Sequence, residues 1–176
     1  MAPLPPESTA RAWLDYNDGI NEHSIQMRLG PTATLVNINT SFHTLLTALA
    51  PILHQLTIVG LRVASDNSNV TNPATWTGSA TYGTGTLLPE DAPREIRFIG
   101  RSADGRQGSA SVFGYSGTTP AIYRLNNSIT QIFNAIAVLD AGYSSDLWLS
   151  ISTQRLIWKP YASFNFNSYW EKEARP

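Results

Sequence analysis

Residues 95–115 read EIRFIGRSADGRQGSASVFGY, and this stretch decides the class of fold. Ile96 and Phe98 alternate with Arg97, so one face of the segment is apolar and the other carries charge, the period of a half-buried strand. Asp104-Gly105 then interrupts the run. The centre of a tight hairpin turn needs positive φ, which glycine adopts freely and aspartate tolerates. The reading is a strand over Glu95–Ser102, a turn at Asp104-Gly105 and a returning strand over Gln107–Tyr115. A short turn joins only strands of opposite direction, so the sheet is antiparallel.

Toward the C-terminus, Ile129, Ile132, Phe133, Ile136 and Leu139 recur at three and four residues and predict an apolar helix over about 128–140. Ser128 and Gln131 have capping-box spacing, and Gly142 suits the C-terminal cap. Leu147, Leu149 and Ile151 alternate as a strand, RLIWKPY (155–161) forms another, and residues 162–176 form an extended arm, aromatic and then charged. Toward the N-terminus lies a long polar loop over 66–93, interrupted by a short strand at Thr75–Tyr82. Before it, Thr57, Val59, Leu61 and Val63 mark a central strand. Phe42, Leu45, Leu46, Leu49 and Leu53 predict a second apolar helix over about 41–54, capped by Asn39, Thr40 or Ser41 and stopped or kinked at Pro51. Ile25, Met27 and Leu29 share one face of a strand over 23–29. Residues 1–20, with three prolines and mixed charge, read as an N-terminal arm. The expectation is a β-rich α+β fold, with one globular domain over 21–161 between two arms. Segments 39–65 and 126–152 also share an order, polar cap, apolar helix, break and strand, which suggests duplication despite poor residue identity.

Charge is scarce. From Gly30 to Pro89 only Arg62 and Asp66 are charged, and from Gln107 to Gln154 only Arg124, Asp140 and Asp146 are. Ser, Thr and Asn number 17, 17 and 12 against 12 basic and 13 acidic residues. A net charge of −1 gives little colloidal protection against self-association, so the composition favours a surface that meets other protein copies. Weak net charge also argues against bulk attachment to nucleic acid or anionic membrane, and no run is long and apolar enough for a membrane span. No signal peptide is read in MAPLPPESTARAW, and the absence of cysteine removes disulfides and thiolate chemistry.

Catalytic chemistry finds no foothold. His43 and His54 share a helical face but lie about 16 Å apart by helical rise, too far for one metal. Glu90 and Asp91, between prolines, read as a solvated turn, and Gly78–Gly85 has neither the lysine nor the helix of a phosphate loop. No enzyme activity, cofactor or metal is expected. The binding candidates are a basic stripe and scattered aromatics. Arg94, Arg97, Arg101 and Arg106 would meet phosphate, an acidic patch on a neighbouring subunit, or water, the last with Glu95 and Asp104 as partners. Trp13, Tyr16, Trp76, Tyr82, Phe164, Phe166, Tyr169 and Trp170 are candidate assembly contacts, since aromatic rings are enriched at interfaces. Trp76 and Tyr82, beside Asn and Thr, also suit stacking on sugars, and a carbohydrate-binding or adhesion module is the alternative reading.

The loop DNSNVTNPATWTGSATYGTGTLLPEDAP (66–93) and the hairpin REIRFIGRSADGRQGSASVFGY (94–115) give the chain a compositional resemblance to viral and phage structural proteins. The resemblance implies a coat or other virion component, located in the virion. Its partners would be copies of itself and other virion proteins, with nucleic-acid contact at the arginine hairpin. Two apolar helices depart from a plain jelly roll, where helices are minor.

Overall fold

The computed structural model describes residues 10–29, 33–64, 70–89, 95–101, 107–116, 131–132, 134–135, 146–151, 154–158 and 171–174. These form an α+β fold, mostly strands, in two antiparallel sheets. Strands β1 (Arg11–Asn17), β2 (Glu22–Arg28), β3 (Leu56–Ala64), β4 (Asn72–Ala74) and β5 (Thr81–Tyr82) make the first. Its order is β2-β1-β3-β4, with β5 also on β3. Strands β6 (Glu95–Arg101), β7 (Gln107–Phe113), β8 (Asp146–Ile151), β9 (Gln154–Trp158) and β10 (Glu171–Ala174) make the second, in the order β7-β6-β8-β9-β10.

The predicted hairpin is present as β6 and β7, in register from Glu95↔Phe113 to Arg101↔Gln107. Its Asp104-Gly105 turn lies outside the described residues. An equivalent hairpin stands where an arm was expected. Arg11–Asn17 is an interior strand, with β2 on one side and β3 on the other. Ala12, Leu14 and Tyr16 are fully buried on its inner face. Asp18-Gly19 turns this hairpin, with Gly19 at φ +92° and the Asp18 carboxylate accepting from Ile20 N and Asn21 N at 2.8 and 2.7 Å. Of the C-terminal arm expected over 162–176, Glu171–Ala174 is a strand paired with β9 of its own chain, and the rest lies outside the described residues.

Helix α1 spans Leu35–Leu49 and starts earlier than the spacing predicted. Its cap is Thr34, whose hydroxyl accepts from Asn37 N at 3.2 Å, and Asn39 and Ser41 lie within the helix, buried. Pro51 does not kink it. The helix ends at Leu49, and Pro51 sits in the first turn of a short 3-10 helix, Ala50–Ile52, where its missing N–H has no bond to break. Of the second predicted helix, Gln131, Ile132, Asn134 and Ala135 are helical and the remainder lies outside the described residues.

Strands β2 and β3 both run antiparallel to β1 and are therefore parallel to each other, which demands a crossover; α1 supplies it. The second sheet repeats this plan. A hairpin (β6, β7) is followed by the helical residues, by a third strand (β8) beside the first, and by a fourth (β9) antiparallel to the third. Ladder registers correspond as well: Leu14 stands between Ile25 and Leu61, and Phe98 stands between Ala110 and Leu149. One buried cluster joins the halves, with Phe42, Leu45, Leu46 and Leu49 of α1 packed among Ile25, Leu61, Ile96, Phe98, Val112, Ile132 and Ala135.

Edge strand β2 lies against β7 where the halves meet. Phe113 N donates to Tyr16 Oη at 2.7 Å, and the His23 ring stacks on Phe113 at 4.6 Å. The segment after α1 adds backbone bonds, His54 N to Gly114 O and Ser116 N to Ile52 O, each 2.9 Å.

Candidate functional site

Residues 70–89 of the loop predicted over 66–93 are docked on α1, and the rest of it lies outside the described residues. Asn39, 5% exposed, accepts from Thr77 N at 2.8 Å through Oδ1 and donates from Nδ2 to Thr75 O at 3.0 Å and Leu35 O at 3.1 Å. Its carboxamide thus offers the loop backbone what a neighbouring strand would, one acceptor and one donor two residues apart. The single strand expected at Thr75–Tyr82 is replaced by β4 and β5, which pair with β3 on either side of this clamp.

Tyr82 is 6% exposed and sits under the loop. Its hydroxyl oxygen accepts from Ser79 N at 3.0 Å and lies 2.6 Å from His43 Nδ1. Burial pushes the phenol above its ordinary ionisation range, so it stays protonated. Trp76, half-buried against the core, donates from Nε1 to Ser79 O at 2.9 Å. The buried Tyr82 ring forms no open platform. Trp76 and Tyr82 thus fasten the loop on α1 and β3 of its own chain.

Beside the clamp runs an open groove of about 530 Å³, between α1 and the second helical segment. Asn37, Thr40, Ser41, His43, Thr44 and Thr47 form one wall; Gln131, Asn134 and Ala135 form the other. The two segments share a pattern, NTSFHTLLTAL (39–49) against NNSITQIFNAI (126–136), in which Leu45 answers to Ile132 and Ala48 to Ala135. All four are buried. Thr44 and Gln131, and Thr47 and Asn134, are the matching polar positions.

Two carboxylate–arginine pairs on the sheet faces close within the chain. Asp15 accepts from Arg62 Nε at 2.6 Å and Nη2 at 2.8 Å, and from the Ser24 hydroxyl. The Arg62 guanidinium lies 5.3 Å from the centre of the Trp13 ring, directly across the strand pair. On the second sheet Arg97 makes two bonds to Glu95, at 2.9 and 3.2 Å, and Ser111 donates to the same carboxylate at 2.6 Å. Arg97 is thus neutralised on its own strand, the solvated-face arrangement. Arg101 ends β6, with its backbone opposite Gln107. Arg94, Arg106, Phe164, Phe166, Tyr169 and Trp170 lie outside the described residues.

Tyr16 belongs to the core, and Trp13 remains on the outer face of the first sheet, half-buried. The site residues that sequence reasoning missed are Asn39 and the threonines of α1. Their signal was a polar stripe beside the apolar one on a helix. No helix of the described residues is long and apolar enough to cross a membrane. Among them no group of three or more His, Asp or Glu is placed to hold a metal. Comparison with protein-family models, curated proteins and solved structures found no match.

Proposed function

We propose that the chain is a structural, self-assembling protein, a coat or other component of a virus-like particle. What supports this reading is the character of the exposed surface. Its ion pairs Asp15–Arg62 and Glu95–Arg97 close within the chain, and between them Val36 (73% exposed), Val70 (64%) and Val59 (59%) face solvent. A neutral surface with exposed β-branched residues has little to oppose contact with a second copy. For the alternative of sugar stacking, Tyr82 is buried in the core and Trp76 is half-buried against it.

Size-exclusion chromatography with light scattering, followed by electron microscopy, tests the proposal. Defined oligomers or particles are expected, with little change between about 50 and 500 mM salt, because apolar contacts are not screened as charge pairs are. Val36→Asp and Val59→Asp, at positions that leave the core intact, are expected to weaken association. A monodisperse monomer at high concentration, under both salt conditions, would sink the proposal.

A further inference from the structure

The groove between α1 and the second helical segment has a chemistry of its own. Among the described residues its lining contains no Lys, Arg, Asp or Glu and no Phe, Tyr or Trp. Apart from the His43 imidazole, the described lining offers no cation to a phosphate and no ring to a nucleobase, and it offers no carboxylate to a metal ion. What the walls offer is hydroxyls from Thr40, Ser41, Thr44 and Thr47 and carboxamides from Asn37, Gln131 and Asn134. Each hydroxyl and carboxamide both donates and accepts. Threonine methyls and Ala135 lie among them as small apolar contacts. His43 completes the set. Its Nδ1 is taken up by the Tyr82 hydroxyl, and its Nε2, a donor or an acceptor according to the tautomer, has no partner among the described residues.

From this arrangement we propose that the groove binds a neutral saccharide of one or two rings. Sugar hydroxyls are paired donors and acceptors, as the wall groups are, and the C–H faces of a pyranose suit the methyls between them. The volume of about 530 Å³ falls within the range of small-ligand sites. The groove is also not an accident of surface relief. Its matching polar positions, Thr44 with Gln131 and Thr47 with Asn134, come from the repeated helix pattern. Sequence inspection had placed sugar contact at Trp76 and Tyr82; the groove uses neither ring.

The test is an amide-resolved NMR titration of the full chain with glucose, galactose, mannose, N-acetylglucosamine, maltose and lactose, and with glucuronate and glucose 6-phosphate as charged controls. At least one neutral sugar is expected to shift the amides of residues 40–47 and 131–135, with a dissociation constant in the millimolar range or below. Asn134→Ala and Gln131→Ala, both at exposed positions, are expected to weaken that binding about fivefold each. His43→Gln should weaken it as well, while Thr57→Ala, outside the groove, leaves it unchanged. No shift of those amides up to about 100 mM sugar overturns the proposal, since that limit lies well beyond millimolar affinity. An equal response to the anionic controls, or full affinity in the Asn134→Ala, Gln131→Ala double variant, overturns it too. The readout is binding, so it stands apart from whether the chain assembles.

Discussion

Single side chains decide how this neutral chain is fastened together. Asn39 is the clearest case, because its one carboxamide satisfies Thr77 N, Thr75 O and Leu35 O. Asn39→Ala is expected to lower stability by about 2 kcal/mol in urea denaturation, and to open the 70–89 segment to limited proteolysis first. Asn39→Asp should be no better, since a carboxylate cannot donate to the two carbonyls. The paired carboxylates predict a pH dependence. For Asp15, burial pushes the carboxyl up, but the bonds from Arg62 and Ser24 and the Arg62 charge outweigh it, and the group ionises below its ordinary 3.8. Glu95 is held below its ordinary 4.5 in the same way, burial opposing and Ser111 and Arg97 prevailing. Both bind a proton less readily folded than unfolded. Their stabilisation is whole above the unfolded pKa values and is lost as pH falls through the lower folded ones. Urea midpoints are therefore expected to hold from neutral pH to about 5 and to drop below about 4. Asp15→Asn with Glu95→Gln should lower the neutral-pH midpoint and flatten that drop; an unaltered acid limb would show that these pairs carry none of it.

At the scale of elements, two glycines with opposite demands test the account of β3 and the loop docked on it. Gly60 lies in β3 opposite Asp15, and a Cβ built there meets nothing within 4 Å. Gly60→Thr is expected to stabilise by about 0.5–1 kcal/mol, by removing glycine's unfolded freedom and adding a β-branched residue to a strand. Gly83 is the reverse. It stands at φ +78°, and a Cβ there would lie 2.3 Å from His54 O. Gly83→Ala should cost about 2 kcal/mol or more, and thermal denaturation of the two variants should move in opposite directions. The elements themselves differed in how legible they were. The β6–β7 hairpin could be read because alternation, length and Asp-Gly agreed. Asp18-Gly19 carries the same turn signal between β1 and β2, yet the prolines before Arg11 gave that region the look of an arm. Helix α1 was legible by its apolar stripe, while its start was misplaced because Asn39 and Ser41 are good caps. Both serve instead as buried residues of the helix interior.

For the molecule as a whole, the repeated order of hairpin, helix, third strand and fourth strand explains why neither half is self-sufficient. Tyr16 completes its hydrogen bond on Phe113, the 52–54 segment pairs with 114–116, and Ile132 and Ala135 share a core with α1. A fragment ending at Pro89 would leave these groups exposed. Its amide spectrum is expected to be poorly dispersed and its unfolding non-cooperative, whereas a folded monomer of that fragment would show that the core is not shared. The sequence by itself determined the strand-rich class, the antiparallel hairpin, the apolar stripe of α1 and the poverty of charge, because each is a local pattern of one to four residues' reach. It carried the hint of duplication too, in the shared order of 39–65 and 126–152. Only the tertiary structure decided that Arg11–Asn17 is an interior strand, that the 70–89 loop is fastened to α1, and that polar positions of two distant helical segments face each other across one groove. Those outcomes depend on which surfaces meet, and Asn39, Tyr16 and Thr44 look alike in sequence whether they face a neighbour, a core or water.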